Sequence, residues 1–345
     1  MQIKNVLVTG CGGDIGIAIG RILRDLDIVE KLYGCDISCE HPGNIFFDEC
    51  LPMVRADSPK YFSCLMEIIT GKKIDLVIPA AEPELRGLME NNFYGRSELF
   101  LSANIEAMRI GFDKYATVEM LKDFGCPHLW TVEADKNKPL AYPCIWKSKT
   151  GCGSKQIKIL NSYNDLLEVS EGIYQEYVPE DEGEYTCGLY RSSRGDIRTI
   201  IFKRKLRGGL TGSGEVVENK NITGLLFKIA KAVDLRGSIN VQLRLKDGIP
   251  YVFEINPRFS STVMFRHKLG FKDLFWSIQD KLDKDIDSYQ GARRGIRFYK
   301  VYEDVIDWRS GEKADKSNYV RGGGDIDAIK YSLSNEKPLH ESEAA

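Results

Sequence analysis

Between residue 3 and about residue 110 the chain alternates short apolar runs with stretches of helical period. That alternation limits the fold more than anything else in the sequence. Val6-Leu7-Val8 is a buried-strand run, Ile15 to Leu26 repeats with helical period, and Leu32 to Ile37, Asp75 to Pro79 and Leu99 to Leu101 are strand-like again. Strands alternating with helices predict a parallel sheet with helices on both faces. Thr9-Gly10-Cys11-Gly12-Gly13-Asp14-Ile15-Gly16 falls where the first strand gives way to the first helix, and Asp36 closes the next strand. In a dinucleotide fold such glycines let the backbone approach a pyrophosphate, and the acid takes a ribose hydroxyl. The same layout also suits a tight turn in a domain that holds no cofactor. A Tyr four residues before a Lys, the usual partner in an NAD(P)-dependent sugar epimerase or dehydrogenase, occurs at none of the 16 tyrosines.

After Asn104 the texture changes. Asp113 to Phe124 reads as one amphipathic helix stopped by Gly125 and Pro127, and β-rich stretches follow at 143–149, 156–160, 173–178, 184–191 and 197–206. A glycine-rich segment occupies 208–214, a helix is expected over 223–233, and 238–245 with 250–255 read as a hairpin turned by Lys246-Asp247-Gly248. The polar end of the chain, with Gly322-Gly323-Gly324, is expected to be loosely held.

A length of 345 residues allows two or three domains, and 48 basic against 50 acidic residues give a formal net charge of −2. That balance offers no broad basic field, so neither nucleic acid nor an anionic membrane is expected as a partner. No apolar run approaches the roughly 18–20 residues of a membrane helix, and Met1 to Val6 lacks a signal-peptide core, so the expectation is a cytoplasmic protein. The nine cysteines are scattered from Cys11 to Cys187 without a CxxC, and none of the four histidines sits at ligand spacing. They are read as reduced thiols, with no zinc site expected from the spacing.

The stronger chemistry lies downstream. On the strand Pro250 to Arg258, alternation points Glu254, Asn256 and Arg258 one way and Phe253 and Ile255 into packing, while Gln242 and Arg244 share a face of the partner strand. Magnesium prefers hard oxygens of this kind together with phosphate and water, and arginine clamps a transferring phosphoryl group. The plain alternative is a solvent-facing side of a hairpin. Lys147 stands at a strand end before a loop containing Gly151, Gly153 and Ser154, whose backbone N–H groups suit phosphates. In Gln175-Glu176-Tyr177-Val178-Pro179, backbone at Glu176 and Val178 suits an adenine edge, and Glu184 suits ribose hydroxyls.

Taken in order, these pieces resemble the ATP-grasp superfamily, and within it stand-alone proteins similar to the carbamoyl-phosphate synthase large subunit. The resemblance runs through Pro79-Ala80-Ala81-Glu82-Pro83-Glu84-Leu85, the Asp113-Lys114-Tyr115 helix start, Lys147 with its glycine loop, the 176–178 hinge, Gln242, and Glu254-Ile255-Asn256-Pro257-Arg258. It implies an α/β and α+β chain: a Rossmann-like pre-ATP-grasp domain over 1–110, a small lobe with the phosphate loop over 111–175, a large lobe with the Mg/ATP site over 176–310, and a polar extension over 311–345. It implies an ATP-dependent carboxylate–amine ligase that works through an acyl phosphate and releases ADP and phosphate. Lys114 and Lys147 would hold phosphates, and Gln242, Glu254 and Asn256 would hold one or two Mg²⁺, with Mn²⁺ able to substitute. Arg258 and Lys147 would be catalytic. Lys205 and Arg207 sit where relatives place acceptor contacts, and Arg266 and His267 are further candidates. The partners implied are a small-molecule carboxylate and an amine, and a homodimer is compatible with the sequence. The competing classes are an NAD(P) oxidoreductase and a nucleotide-binding module without turnover.

Overall fold

A computed structural model describes residues 2–91, 98–151, 157–166, 171–301 and 304. The expected extension over 311–345 and the loop positions Gly153 and Ser154 lie outside them.

The first sheet is built from β1 (Ile3–Thr9), β2 (Val29–Asp36), β3 (Glu49–Pro52) and β4 (Leu76–Ile78), all parallel, in the order β3-β2-β1-β4. A lone parallel bridge, Val77 to Phe100, is all that the expected strand at 99–101 contributes. Because successive side chains alternate faces, Val6 and Val8 pack beneath α1 (Asp14–Leu26), while Leu7, Tyr33 and Val77 pack against α2 (Tyr61–Lys72) and α3 (Glu82–Glu90). Helix α4 (Ile105–Phe112) contains residue 110, the expected end of the first domain. Its Met108 and Phe112 join the first sheet's core, and its Ala107 and Ile110 join the next one.

Helix α5 (Lys114–Asp123) starts at Asp113, whose Oδ1 accepts from the N–H groups of Tyr115 (2.8 Å) and Ala116 (3.1 Å). A second sheet, wholly antiparallel, follows in the order β5-β8-β6-β7: β5 (Thr131–Glu133), β6 (Cys144–Lys147), β7 (Ile157–Leu160) and β8 (Ile173–Glu176).

The third sheet carries β9 (Glu184–Arg191), β10 (Ile197–Arg207), β11 (Leu210–Val216), β12 (Gly237–Lys246), β13 (Ile249–Asn256) and β14 (Arg297–Tyr299), in the order β13-β12-β9-β10-β11-β14. The 208–214 segment, read from sequence as a glycine-rich stretch, is the Gly208-Gly209 turn followed by strand β11. Gly214 is required there, because a Cβ would lie 2.5 Å from the Phe298 ring. Asp247 and Gly248 both take positive φ (54° and 71°), which gives the twist that a two-residue hairpin needs. Helix α6 (Lys220–Ala232) covers one face of this sheet through Ile222, Leu225, Leu226 and Ile229. Helices α7 (Val263–Lys268) and α8 (Asp273–Lys281) reach back, and Val263, Leu274 and Ile278 share a core with β1 and α1. The first sheet is thus packed directly on the body that holds the third. No helix among the described residues is long and apolar enough to cross a membrane.

Candidate active site

All three sheets open onto one cleft of about 1120 Å³. That is slightly above the range usual for small-molecule sites, roughly 300–1,000 Å³. One wall comes from Gly10, Gly12, Gly13, Asp36 and His41, another from Lys114, Lys147, Gly151 and Val178, and the floor from Glu184, Gln242, Glu254, Asn256 and Arg258.

A β-bulge shapes the floor. In the β12–β13 ladder Gln242 faces Glu254 but Leu243 faces Val252, so Phe253 has no partner. Tyr251, Phe253, Glu254 and Asn256 therefore line the cleft, while Val252 and Ile255 stay in the core. The expected burial of Phe253 in packing is corrected by this extra residue; the expectation for Ile255 agrees with the structure. The unpaired Phe253 carbonyl accepts from Lys147 Nζ (2.9 Å). Lys147 is 5% exposed, and its ammonium is pushed down to about 7, first by burial and then by Lys114, against the opposing charge of Glu254.

Lys114 stands at the first position of α5. Its N–H donates to the Lys149 carbonyl (3.0 Å) and its Nζ to the Gly151 carbonyl (2.7 Å), so it ties the helix start to the strand-end loop. Gly151 holds φ at 98°, a backbone state that only glycine adopts without strain.

Glu184 sits at the centre of a charge cluster made by register. On β9 it is the direct partner of Arg204 on β10 and Arg244 on β12. Its Oε1 accepts from Arg204 Nε (3.0 Å) and Nη2 (2.7 Å), and its Oε2 from Arg244 Nε (3.0 Å) and Nη2 (2.7 Å). Four N–H donors fill the lone-pair sites of a carboxylate. The ribose-accepting role expected of Glu184 is revised accordingly, because the carboxylate is spent on holding two guanidinium groups over the cleft. Arg204 also donates to Gln242 Oε1 (2.7 Å), and Arg244 to the Val178 carbonyl (2.7 Å). The Val178 N–H and the Glu254 carboxylate have no hydrogen-bond partner among the described residues. Glu176 pairs with Lys246 (2.8 Å) on the rim.

Asn256 Oδ1 accepts from Arg258 Nη2 (3.1 Å), and Arg258 Nη1 donates to the Phe259 carbonyl (3.1 Å), which leaves the buried Arg258 Nε without a partner among the described residues. A carboxylate with no hydrogen-bond partner among the described residues and two neighbouring amide oxygens form a hard-oxygen set suited to Mg²⁺, and the guanidinium with a spare donor suits phosphate.

Four sequence candidates lie elsewhere. Arg204 and Leu206 line the cleft, so alternation along β10 sends Lys205 and Arg207 to the opposite face. Arg266 is 0% exposed. It pairs with Asp273 (3.0 Å) and donates to Asn240 Oδ1, which makes it a structural tie rather than a substrate contact. His267, half-buried on α7, is absent from the cleft lining; burial, helped by Lys272, pushes its pKa down.

The glycine cluster has its own explanation. Asp36, expected to take a ribose hydroxyl if a dinucleotide bound, instead accepts from the N–H groups of Gly12 (2.8 Å) and Ile37 (2.7 Å). A Cβ on Gly16 would lie 2.2 Å from the Gly10 carbonyl oxygen, so the turn itself demands glycine. Glu84, buried in the Pro79–Leu85 motif, accepts from Thr9 (2.6 Å), Tyr61 (2.6 Å) and the Ala81 N–H (3.2 Å), fixing α3 beside that turn. Sequence reasoning missed Arg204, whose signal was the period of two along β10.

Residues 112–262 match the family model of the ATP-grasp domain. The C-terminal section of a carbamoyl phosphate synthase large chain from Methanocaldococcus jannaschii is 24% identical over 186 residues, covering 46% of this chain and 30% of that protein. The chain spans less than a third of the length of the curated relatives it matches. Among solved structures, N5-carboxyaminoimidazole synthetase from Staphylococcus aureus complexed with ADP aligns with a TM-score of 0.68 at 17% identity, covering 85% of this chain and 81% of that one. L-amino acid ligase from Bacillus licheniformis aligns at 0.63 and 17%, covering 82% and 75%. At such identities the likeness speaks for the fold. Sequence match, fold and cleft agree: this chain carries an ATP-grasp domain over residues 112–262.

Proposed function

We propose that the chain is an ATP-dependent carboxylate–amine ligase. ATP transfers its γ-phosphoryl group to a carboxylate oxygen, ADP leaves, and an amine attacks the acyl carbon of the acyl phosphate and expels phosphate. The observation that supports this most is the set of groups left open in the cleft: among the described residues Glu254 has no hydrogen-bond partner and Arg258 Nε no acceptor, and the buried Lys147 ammonium feels the Glu254 charge.

In this reading Lys114 and Lys147 hold the phosphates, with the backbone of Gly151 beside them. Backbone at Glu176 and Val178 frames adenine. Glu254, Asn256 and Gln242 would hold Mg²⁺, which supplies positive charge against the phosphate oxygens. Arg258 neutralises charge on the group being transferred. A low dielectric around Lys147 strengthens these contacts and keeps water from an intermediate that it would hydrolyse. Residues 1–110 act as a Rossmann-like domain whose glycine turn closes the far wall, with room for the carboxylate or the amine.

Thermal melting in parallel with ATP·Mg²⁺, ADP and NAD(P) tests this. Binding to the folded state alone stabilises it by about 2.7 kcal/mol at a hundredfold excess over Kd. ATP·Mg²⁺ is expected to raise the Tm by several degrees and NAD(P) to leave it unchanged. Equal stabilisation by NAD(P) overturns the reading.

A further inference from the structure

The glycine turn that the nucleotide reading leaves without chemistry holds a cluster of soft ligands. Cys11 lies in the turn after β1, His41 in the segment after β2, and Cys50 on β3. These three residues, far apart in sequence, converge because parallel strands deliver their loops to the same edge. Cys11 Sγ is 3.6 Å from Cys50 Sγ and 3.4 Å from His41 Nε2, and Cys50 Sγ is 3.5 Å from the same nitrogen. Bond lengths of about 2.3 Å to sulfur and 2.0–2.1 Å to nitrogen make tetrahedral edges of about 3.8 Å between sulfurs and about 3.5 Å between sulfur and nitrogen. All three separations match such edges. They are far longer than the roughly 2.05 Å of a disulfide.

The backbone is cut away around the cluster. A Cβ on Gly12 would lie 2.6 Å from the His41 ring, one on Gly34 would lie 2.7 Å from Cys11 Sγ, and one on Gly43 would lie 2.9 Å from His41 Nδ1. Three glycines on three different segments therefore give way to Cys11 and His41, two of the three cluster residues. Cys11 is fully buried, and Cys50 and His41 are half-buried, so an ion there is shielded yet reachable. Cys39 is close by, with its Sγ 3.5 Å from the Cys50 carbonyl.

We infer that Cys11, His41 and Cys50 form a zinc site that pins the glycine turn to the first sheet, with Cys39 or water completing the tetrahedron. Two thiolates and an imidazole favour Zn²⁺ over the hard cations suited to the cleft floor. The site is separate from the nucleotide-phosphate machinery. Because His41 and Gly12 line the cleft, the ion would fix the shape of that wall.

The test uses the full chain purified without a histidine tag from zinc-supplemented cells. Wild type is expected to retain about one zinc per chain by elemental analysis. After chelation, titration with Co²⁺ should give a thiolate-to-cobalt charge-transfer band. Added Zn²⁺ should protect the cluster thiols from a thiol reagent. Cys50→Ser should lose the band and weaken zinc by more than the roughly 10–100-fold that follows loss of an outer-shell partner. It should still show the ATP·Mg²⁺ melting shift, which confirms folding; His41→Gln should lose the band likewise. A wild-type chain that gives neither bound zinc nor a cobalt–thiolate band overturns the proposal. So does a Cys11–Cys50 disulfide found by peptide mapping in metal-free protein, or Cys50→Ser binding zinc as tightly as wild type.

Discussion

The N-terminal wall of the cleft and the β13 strand of its floor treat their acidic groups in opposite ways. On the N-terminal wall Asp36, and buried behind it Glu84, are filled by backbone N–H and hydroxyl donors from the same domain. On the β13 side, Glu254 meets no donor and Arg258 Nε no acceptor among the described residues. Partly or fully buried polar groups are normally paired, and leaving one open costs stability. Where the cost is accepted, a ligand is expected to supply the missing partner. The motif that looks most like a nucleotide fingerprint is thus structurally complete without one, and the less conspicuous strand is not.

The largest effect that could break this contrast comes from Glu254→Gln. ADP release with the true substrates is expected to fall by roughly 10²–10³-fold or more, while the Tm of the ligand-free protein changes little, because no hydrogen bond among the described residues is lost and only the charge facing Lys147 goes. Near-normal turnover would remove Glu254 from the chemistry. Glu184→Gln should do the reverse. It strands two guanidinium groups on the cleft floor, and denaturant unfolding should show a loss of about 3 kcal/mol. Arg204→Met, which leaves the Arg244 pair in place, should cost less; an equal loss would mean the two pairs act as one unit.

Lys147 gives a smaller, pH-dependent effect. Its folded pKa lies near 7, below its ordinary value of 10.5, so the unfolded chain binds more protons between those limits and stability rises with pH across them. The penalty is complete below about pH 7 and gone above the unfolded value. Lys147→Met should therefore stabilise the ligand-free protein at pH 6, and the gain should fade towards pH 10. Phosphate beside the ammonium restores its proton, so ATP binding near pH 8 should take up a proton, read by calorimetry in buffers of different ionisation heat. No uptake would leave Lys147 away from the phosphates. The smallest effect belongs to Asp36→Asn, which should lower stability by about 1 kcal/mol without changing the ATP·Mg²⁺ melting shift. A lost shift would show that the N-terminal wall also reads nucleotide.

Much of the floor was legible from the β12–β13 hairpin alone, since Asp247-Gly248 marks the turn and a period of two separates Gln242 and Arg244 from the core. Phe253 was not legible, because a bulge is decided by the fit of two strands and leaves no pattern on either one. Lys205 and Arg207 were candidates through the resemblance alone, which carries no register; β10 runs on beside β11 as a strand, and alternation from Arg204 and Leu206 fixes the face on which each side chain emerges. Arg266 carries a charge that suggests a surface role, yet its Asp273 partner lets it be fully buried. Cys11, His41 and Cys50 have no informative spacing, since three separate strands bring them together.

Helix α4 has a consequence for how the molecule comes apart. Met108 and Phe112 are side chains of one core and Ala107 and Ile110 of another, and at Gly111 a Cβ would lie 2.9 Å from Pro257. A helix that belongs to two cores cannot melt from one and stay folded in the other. Heat absorbed in loosening the glycine-turn half is therefore absorbed by the nucleotide half as well, and a calorimeter should record a single peak. Anything that tightens one half, whether a metal at the turn or a nucleotide on the floor, tightens both. Excising the first hundred residues would yield two fragments, each with an apolar stripe exposed, rather than two working modules.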